Sequence, residues 1–90
     1  MTDTTYKPKK GIAYREIQGE MVLVDPSENK LLRLNETASF IWRRLEESPL
    51  GAIVQELTES FEVSEERAQE DVKQFTSILL EKHLIVEVEM

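Results

Sequence analysis

Two β-prone runs, Ala13-Tyr14-Arg15-Glu16-Ile17 and Glu20-Met21-Val22-Leu23-Val24-Asp25, flank the dipeptide Gln18-Gly19. A glycine between such runs predicts a hairpin. The second run is apolar on both faces, as expected of a middle strand. Asp25-Pro26-Ser27-Glu28-Asn29 reads as a turn: Asp25 suits its first position, Pro26 presets the next φ, and Asn29 tolerates the left-handed region. A third strand, Lys30-Leu31-Leu32-Arg33-Leu34, completes an antiparallel meander in the order first, second, third.

After Leu34 the apolar period changes from two to 3.6. Asn35 is a good N-cap, and Ala38, Ile41, Trp42 and Leu45 share one face of a helix running to about Glu47. Ser48-Pro49 predicts a restart, with Ser48 as cap and Pro49 at the first helical position. Leu50, Ile53, Val54, Leu57 and Phe61 give this second helix its stripe. Ser64 caps a third helix, with Glu65 and Glu66 at the positive end of its dipole. It runs to about Lys82 with Ala68, Val72, Phe75 and Leu79 inward. Leu84 to Glu89 alternates and reads as a short last strand or an extended cover. The predicted fold is α+β: an N-terminal three-stranded antiparallel sheet followed by a three-helix, winged-helix-like bundle. Residues 1–10, polar and without an apolar period, read as a flexible tail, and 11–90 as one domain.

Composition narrows the function classes. The 90 residues hold 11 Lys and Arg against 18 Asp and Glu, a net charge of −7, with 40% hydrophobic residues, enough for one small core. No cysteine is present, which excludes disulfides, thiolate metal sites and a cysteine nucleophile. The single histidine, His83, excludes a multi-histidine zinc site and suits a helix end. Glu66 and Glu70, four apart, make too poor a cage for a divalent cation. No cofactor is expected. Between Glu46 and Asp71 nine acids face one base, Arg67, the pattern of solvated helix faces or of a dock for a basic partner. No apolar run can span a bilayer, and the N-terminus lacks the apolar core of a signal peptide, so the expected compartment is the cytoplasm.

The third strand calls for explanation. In the meander it is an edge, and edges present free backbone N–H and C=O groups. Natural edges are blunted by proline or several charges; Leu31-Leu32-Arg33-Leu34 has three leucines, one cation and no proline. The chain's own third helix or C-terminal segment can cover such an edge. Otherwise an extended peptide adds to it as a further strand. Two alternatives stand beside this. A winged-helix DNA-binding protein needs a basic recognition helix, whereas the third helix carries Glu65, Glu66, Glu70 and Asp71. A structural module would pair two third-strand edges into a homodimer. Leu32→Pro tests the strand-addition reading if its amide faces the guest.

The run Val22-Leu23-Val24-Asp25-Pro26, then Leu32-Arg33-Leu34-Asn35-Glu36-Thr37-Ala38 and Ile41-Trp42, resembles the PqqD-like proteins. These contain the recognition element for ribosomally made, post-translationally modified peptides. The pattern continues through Ile53, Leu57, Phe61, Val63, Glu65-Glu66, Asp71-Val72, Phe75 and Leu79 to Leu84-Ile85. The resemblance implies a non-enzymatic adaptor; the acidic balance and the lack of a spanning run already argue against a nucleic-acid or membrane partner. Such an adaptor binds a precursor leader peptide as an added strand on the third strand, in a groove against the third helix. It then delivers the precursor to a modifying enzyme such as a radical-SAM protein, a protease or a cyclase. Carried to this chain, the strand positions are Leu31, Leu32, Arg33 and Leu34. Helical spacing adds a flanking stripe of Asp71, Gln74, Phe75 and Ile78. The chain departs from the family in having Pro49 where a Thr is usual and His83 where a Gly precedes the closing apolar pair. The tryptophan and proline arrangement of members dedicated to pyrroloquinoline quinone synthesis is not evident, which leaves a lasso-peptide or other modified-peptide pathway open.

Overall fold

The computed structural model of the chain describes residues 4–88. Its elements run β1 (Tyr6–Pro8), β2 (Ala13–Ile17), β3 (Glu20–Asp25), β4 (Lys30–Arg33), α1 (Glu36–Leu45), α2 (Leu50–Phe61), α3 (Glu65–Glu81) and β5 (Ile85–Glu87). The fold is α+β, with the meander in the expected order β2-β3-β4 and all pairs antiparallel. Gln18 and Gly19 both take positive φ (53° and 86°), the backbone that a two-residue hairpin needs to match strand twist. Asn29 does the same at the end of the next turn (φ 53°), where Asp25 Oδ1 accepts from the Ser27 N–H at 3.1 Å.

The expectation of a single sheet is corrected. A second, two-stranded sheet pairs β1 with β5, with Tyr6 opposite Glu87 and Pro8 opposite Ile85. Residues 6–8 belong to the stretch read from sequence as a tail, and Tyr6 is buried. The surrounding segment makes backbone bonds of its own. The Thr4 carbonyl accepts from Leu50 N at 3.1 Å, and the Thr5 carbonyl from Val88 N at 2.8 Å; Lys9 N donates to the Leu84 carbonyl at 2.9 Å. The Tyr6 hydroxyl titrates above its usual range, because burial and then the Glu87 carboxylate disfavour the phenolate.

Two of the predicted helix caps hold. Asn35 accepts from Ala38 N, and Ser64 from Arg67 N. The second helix differs: Pro49 itself is the N-cap, in extended conformation (ψ 159°), and no side chain caps the helix. Leu50 is then the first helical residue, and its free N–H is met by Thr4 rather than by Ser48.

Helix α3 ends in a Schellman motif. His83 takes the left-handed conformation (φ 58°), its N–H donates to the Leu80 carbonyl at 3.1 Å, and Leu84 N donates to the Leu79 carbonyl at 2.9 Å. Leu79 and Leu84, the apolar pair that accompanies this motif, are both buried.

The core lies between the meander's inner face and the helices. Met21 and Leu23 of β3 meet Leu34, Ile41, Trp42, Leu45, Ile53, Leu57, Ala68, Val72 and Leu79 there. Phe75, expected inward, is only partly buried; Thr76 takes the buried position beside it. Among the described residues no helix is long and apolar enough to cross a membrane.

Candidate peptide-binding site

The β3–β4 ladder decides which backbone groups of β4 are free. Val22 faces Arg33, Leu23 faces Leu32 and Val24 faces Leu31. Leu34 N donates to the Met21 carbonyl at 2.8 Å, so 34/21 is a hydrogen-bonded pair. Antiparallel pairs alternate, so Leu32 and Lys30 also direct their N–H and C=O at β3. The N–H and C=O of Leu31 and Arg33 therefore point to the other side. Among the described residues no strand pairs with β4 on that side.

Side chains alternate across the same strand. Lys30 and Leu32 share the inner face with Leu23, and Leu32 packs against the core. Leu31 and Arg33 stand on the outer face. Leu31 is 70% exposed, the highest value among the exposed large hydrophobic side chains. Arg33 Nε lies 3.0 Å from Glu20 Oε1.

Leu34, expected as part of the binding strand, is buried beyond the end of β4. Ser39 explains the change of direction there. Its Oγ accepts from Met21 N at 2.9 Å and donates to the Leu34 carbonyl at 3.2 Å. The hydroxyl stands where a direct Met21–Leu34 bond would otherwise complete the pair. It closes the ladder and releases the chain into α1. Nothing in the apolar stripe singles out Ser39 from sequence; a hydroxyl on the margin of a buried helix face is the one signal.

The stripe Asp71, Gln74, Phe75 and Ile78 falls on one flank of α3 by helical spacing. Gln74 and Ile78 are exposed, Asp71 and Phe75 partly buried. Asp71 Oδ1 lies 3.3 Å from Arg67 Nε, one turn earlier on the same flank. Lys82, one further turn along, reaches β4: its carbonyl accepts from Lys30 Nζ at 3.3 Å. There Leu23, Lys30, Leu31, Leu32, Lys82 and Leu84 line a depression of about 150 Å³.

Lys30 Nζ also lies 3.1 Å from Glu28 Oε1, and Lys9 Nζ is 3.5 Å from Glu28 Oε2 and 3.4 Å from Asp25 Oδ2. The Lys30 ammonium, and then Lys9, hold the Glu28 carboxyl below its ordinary range. The Ser27 hydroxyl, donating at 2.7 Å, and then Lys9 do the same for Asp25 against the opposing effect of burial.

A larger cleft, about 600 Å³, lies on the other flank of α3, between it and α2, with Tyr6, Val54, Val72 and Thr76 among its walls. Sequence periodicity shows no sign of it, because its walls come from separate elements, α2, α3 and Tyr6. Among the described residues no group of three or more His, Cys, Asp or Glu side chains is placed to hold a metal ion.

A three-stranded meander with a free outer edge, followed by three helices, defines a class of small α+β domain. Residues 20–85 match the family of coenzyme PQQ synthesis protein D, PqqD, and the chain belongs to that family. Two solved structures are similar over nearly the full length. TbiB1 in complex with the TbiA(beta) leader peptide superposes with a TM-score of 0.82 at 25% identity, covering 88% of this chain and 93% of that one. A lasso peptide synthetase B1 complexed with the leader peptide gives a TM-score of 0.77 at 26% identity, covering 90% of this chain and 96% of that one. No protein of curated function matches the chain at a significant level.

Proposed function

We propose that this chain binds the leader region of a ribosomally made precursor peptide as a fourth strand on β4 and delivers it to a modifying enzyme. The observation that carries this reading is the free outer edge of β4, where Leu31 and Arg33 turn their backbone groups outward. The two similar proteins, both solved with leader peptides, support it. Leu31 and Arg33 supply the rungs, Leu32 shapes the wall beneath, and Phe75 and Ile78 with Asp71 and Gln74 form the opposing side. Leu34 contributes through the core rather than by touching the guest. The role is that of a winged-helix-like adaptor with no chemistry of its own; the receiving enzyme is a radical-SAM protein, a protease or a cyclase.

Backbone pairing sets the guest's register, and apolar anchors supply much of the affinity. Ordering a flexible leader costs roughly 2–5 kcal/mol of the gross interaction. A dissociation constant around micromolar, about −8 kcal/mol, follows. The test is titration of a candidate leader, followed through backbone amide shifts. The expected result is large shifts at residues 30–33 and on the Asp71–Ile78 flank. Shifts confined to the acidic faces of α2 and α3, with β4 silent, would overturn strand addition. Sedimentation without peptide separates this role from self-pairing of two β4 edges.

A further inference from the structure

The chain carries a net charge of −7, yet two lysines line the depression beside β4. Lys30 and Lys82 both line it, around a floor of Leu23, Leu32 and Leu84. The nearby carboxylates are already engaged. Glu28 is shared between Lys30 and Lys9, and Asp25 is held by Lys9 and Ser27. Among the described residues Lys82 has no carboxylate within ion-pair distance. A lysine with no carboxylate partner, lining an apolar hollow, selects for an occupant that is aliphatic at one point and anionic at the next.

The strand geometry fixes how far apart those two points lie. Lys30 and Leu32 are neighbours on the inner face of β4, two residues and roughly 6.6 Å apart. A guest strand paired to β4 shows the same spacing on the same face. At about 150 Å³ the hollow has room for one aliphatic side chain. We infer that, granted the strand-addition reading on which this rests, Lys82 and Lys30 make the groove specific for one kind of extended segment. That segment buries one aliphatic residue against Leu32 and Leu84 and carries Asp or Glu two positions away on the same face. Lys82 is the specificity-determining residue of the pair, because Lys30 already serves Glu28.

Net charge and local charge make opposite predictions, which gives the test its force. The overall field of a −7 chain favours a cationic peptide. The probes are short acetylated and amidated peptides with a central leucine, threonine at the odd positions, and either glutamate, glutamine or lysine two positions to each side of the leucine. Acids on both sides cover both strand polarities. Each is titrated at low salt and followed through the amides of Leu31 and Arg33. The glutamate peptide is expected to bind about fivefold more tightly than the glutamine one, and the lysine peptide more weakly still. The preference shrinks as salt is added. In Lys82→Glu, an exposed position whose retained fold the amide spectrum verifies, the order of the three peptides reverses. Lys73→Glu makes the same change in net charge on the opposite flank of α3, where Lys73 lines the larger cleft, and leaves the order as it was.

The outcomes separate cleanly. If the peptides shift Leu31 and Arg33 but the lysine or glutamine form binds as well as the glutamate form, the charge selection is wrong and strand addition stands. An equal response to Lys82→Glu and Lys73→Glu likewise overturns the role of Lys82. If none of the peptides shifts β4 at millimolar concentration, strand addition fails and the selection fails with it.

Discussion

Ser39 joins three elements through one hydroxyl. It satisfies Met21 N of β3 and the Leu34 carbonyl from the top of α1. Ser39→Ala leaves a buried donor and a buried acceptor without partners and is expected to destabilise the fold by about 1–3 kcal/mol, read by chemical denaturation. His83 is the converse case. It holds a left-handed backbone that costs an L-residue roughly 1–2 kcal/mol. His83→Gly relieves this and is expected to raise stability by about 0.5–1 kcal/mol, less any favourable charge at the helix end. The sequence allows no forecast of this strain. It marks His83 as a helix end without glycine, but a left-handed residue is visible only once the two Schellman bonds are drawn.

At the scale of elements, β4 turns the proposed function into a distinction between adjacent residues. The amide of Leu31 faces outward and that of Leu32 faces β3. Leu31→Pro therefore removes a rung offered to the guest while keeping the β3 ladder, since proline is tolerated on the free side of an edge. Leader affinity is expected to fall about three- to tenfold, with the denaturation midpoint nearly unchanged. Leu32→Pro breaks a rung to β3 and should be seen first as lost stability, so it is the wrong test of peptide pairing. The sequence shows the strand and its edge position but not the phase of its hydrogen bonds, which depends on the pairing of Leu34 with Met21. The three helices and the meander were legible because each carries a local period or a local turn signal. The β1–β5 pair was not. Each strand has three residues, too few to show alternation, and their pairing joins the two ends of the chain. Lys7, Pro8 and Lys9 also resemble a solvated tail in composition. The proposed α3 side of the site rests on spacing alone; the contact of Lys30 with the Lys82 carbonyl lies beyond any local pattern.

For the whole molecule, acid is the informative stress. Asp25 and Glu28 both titrate below their ordinary range in the folded chain. The sign follows from linkage: each contributes stability above its unfolded value, near 4, that is lost as pH falls through the depressed folded value. Acid unfolding is expected to begin below about pH 4 and to be less steep in Asp25→Asn, read by far-UV circular dichroism. On the proposed function, a bound leader works in the other direction. A ligand at a hundred times its dissociation constant adds about 2.7 kcal/mol. In a domain of this size that raises the melting temperature by about 10–20 °C. A leader that shifts the amides of β4 but leaves the melting temperature unmoved would contradict the proposed mode.

The ribbon that sets Tyr6 opposite Glu87 brings the first and last strands side by side. A short glycine bridge can therefore close the backbone into a ring, and new termini can be opened at the turn between α1 and α2. Such a circular permutant keeps β4 uninterrupted. It should still capture the same guest, which makes the domain portable: it can be spliced into a host polypeptide at a single point.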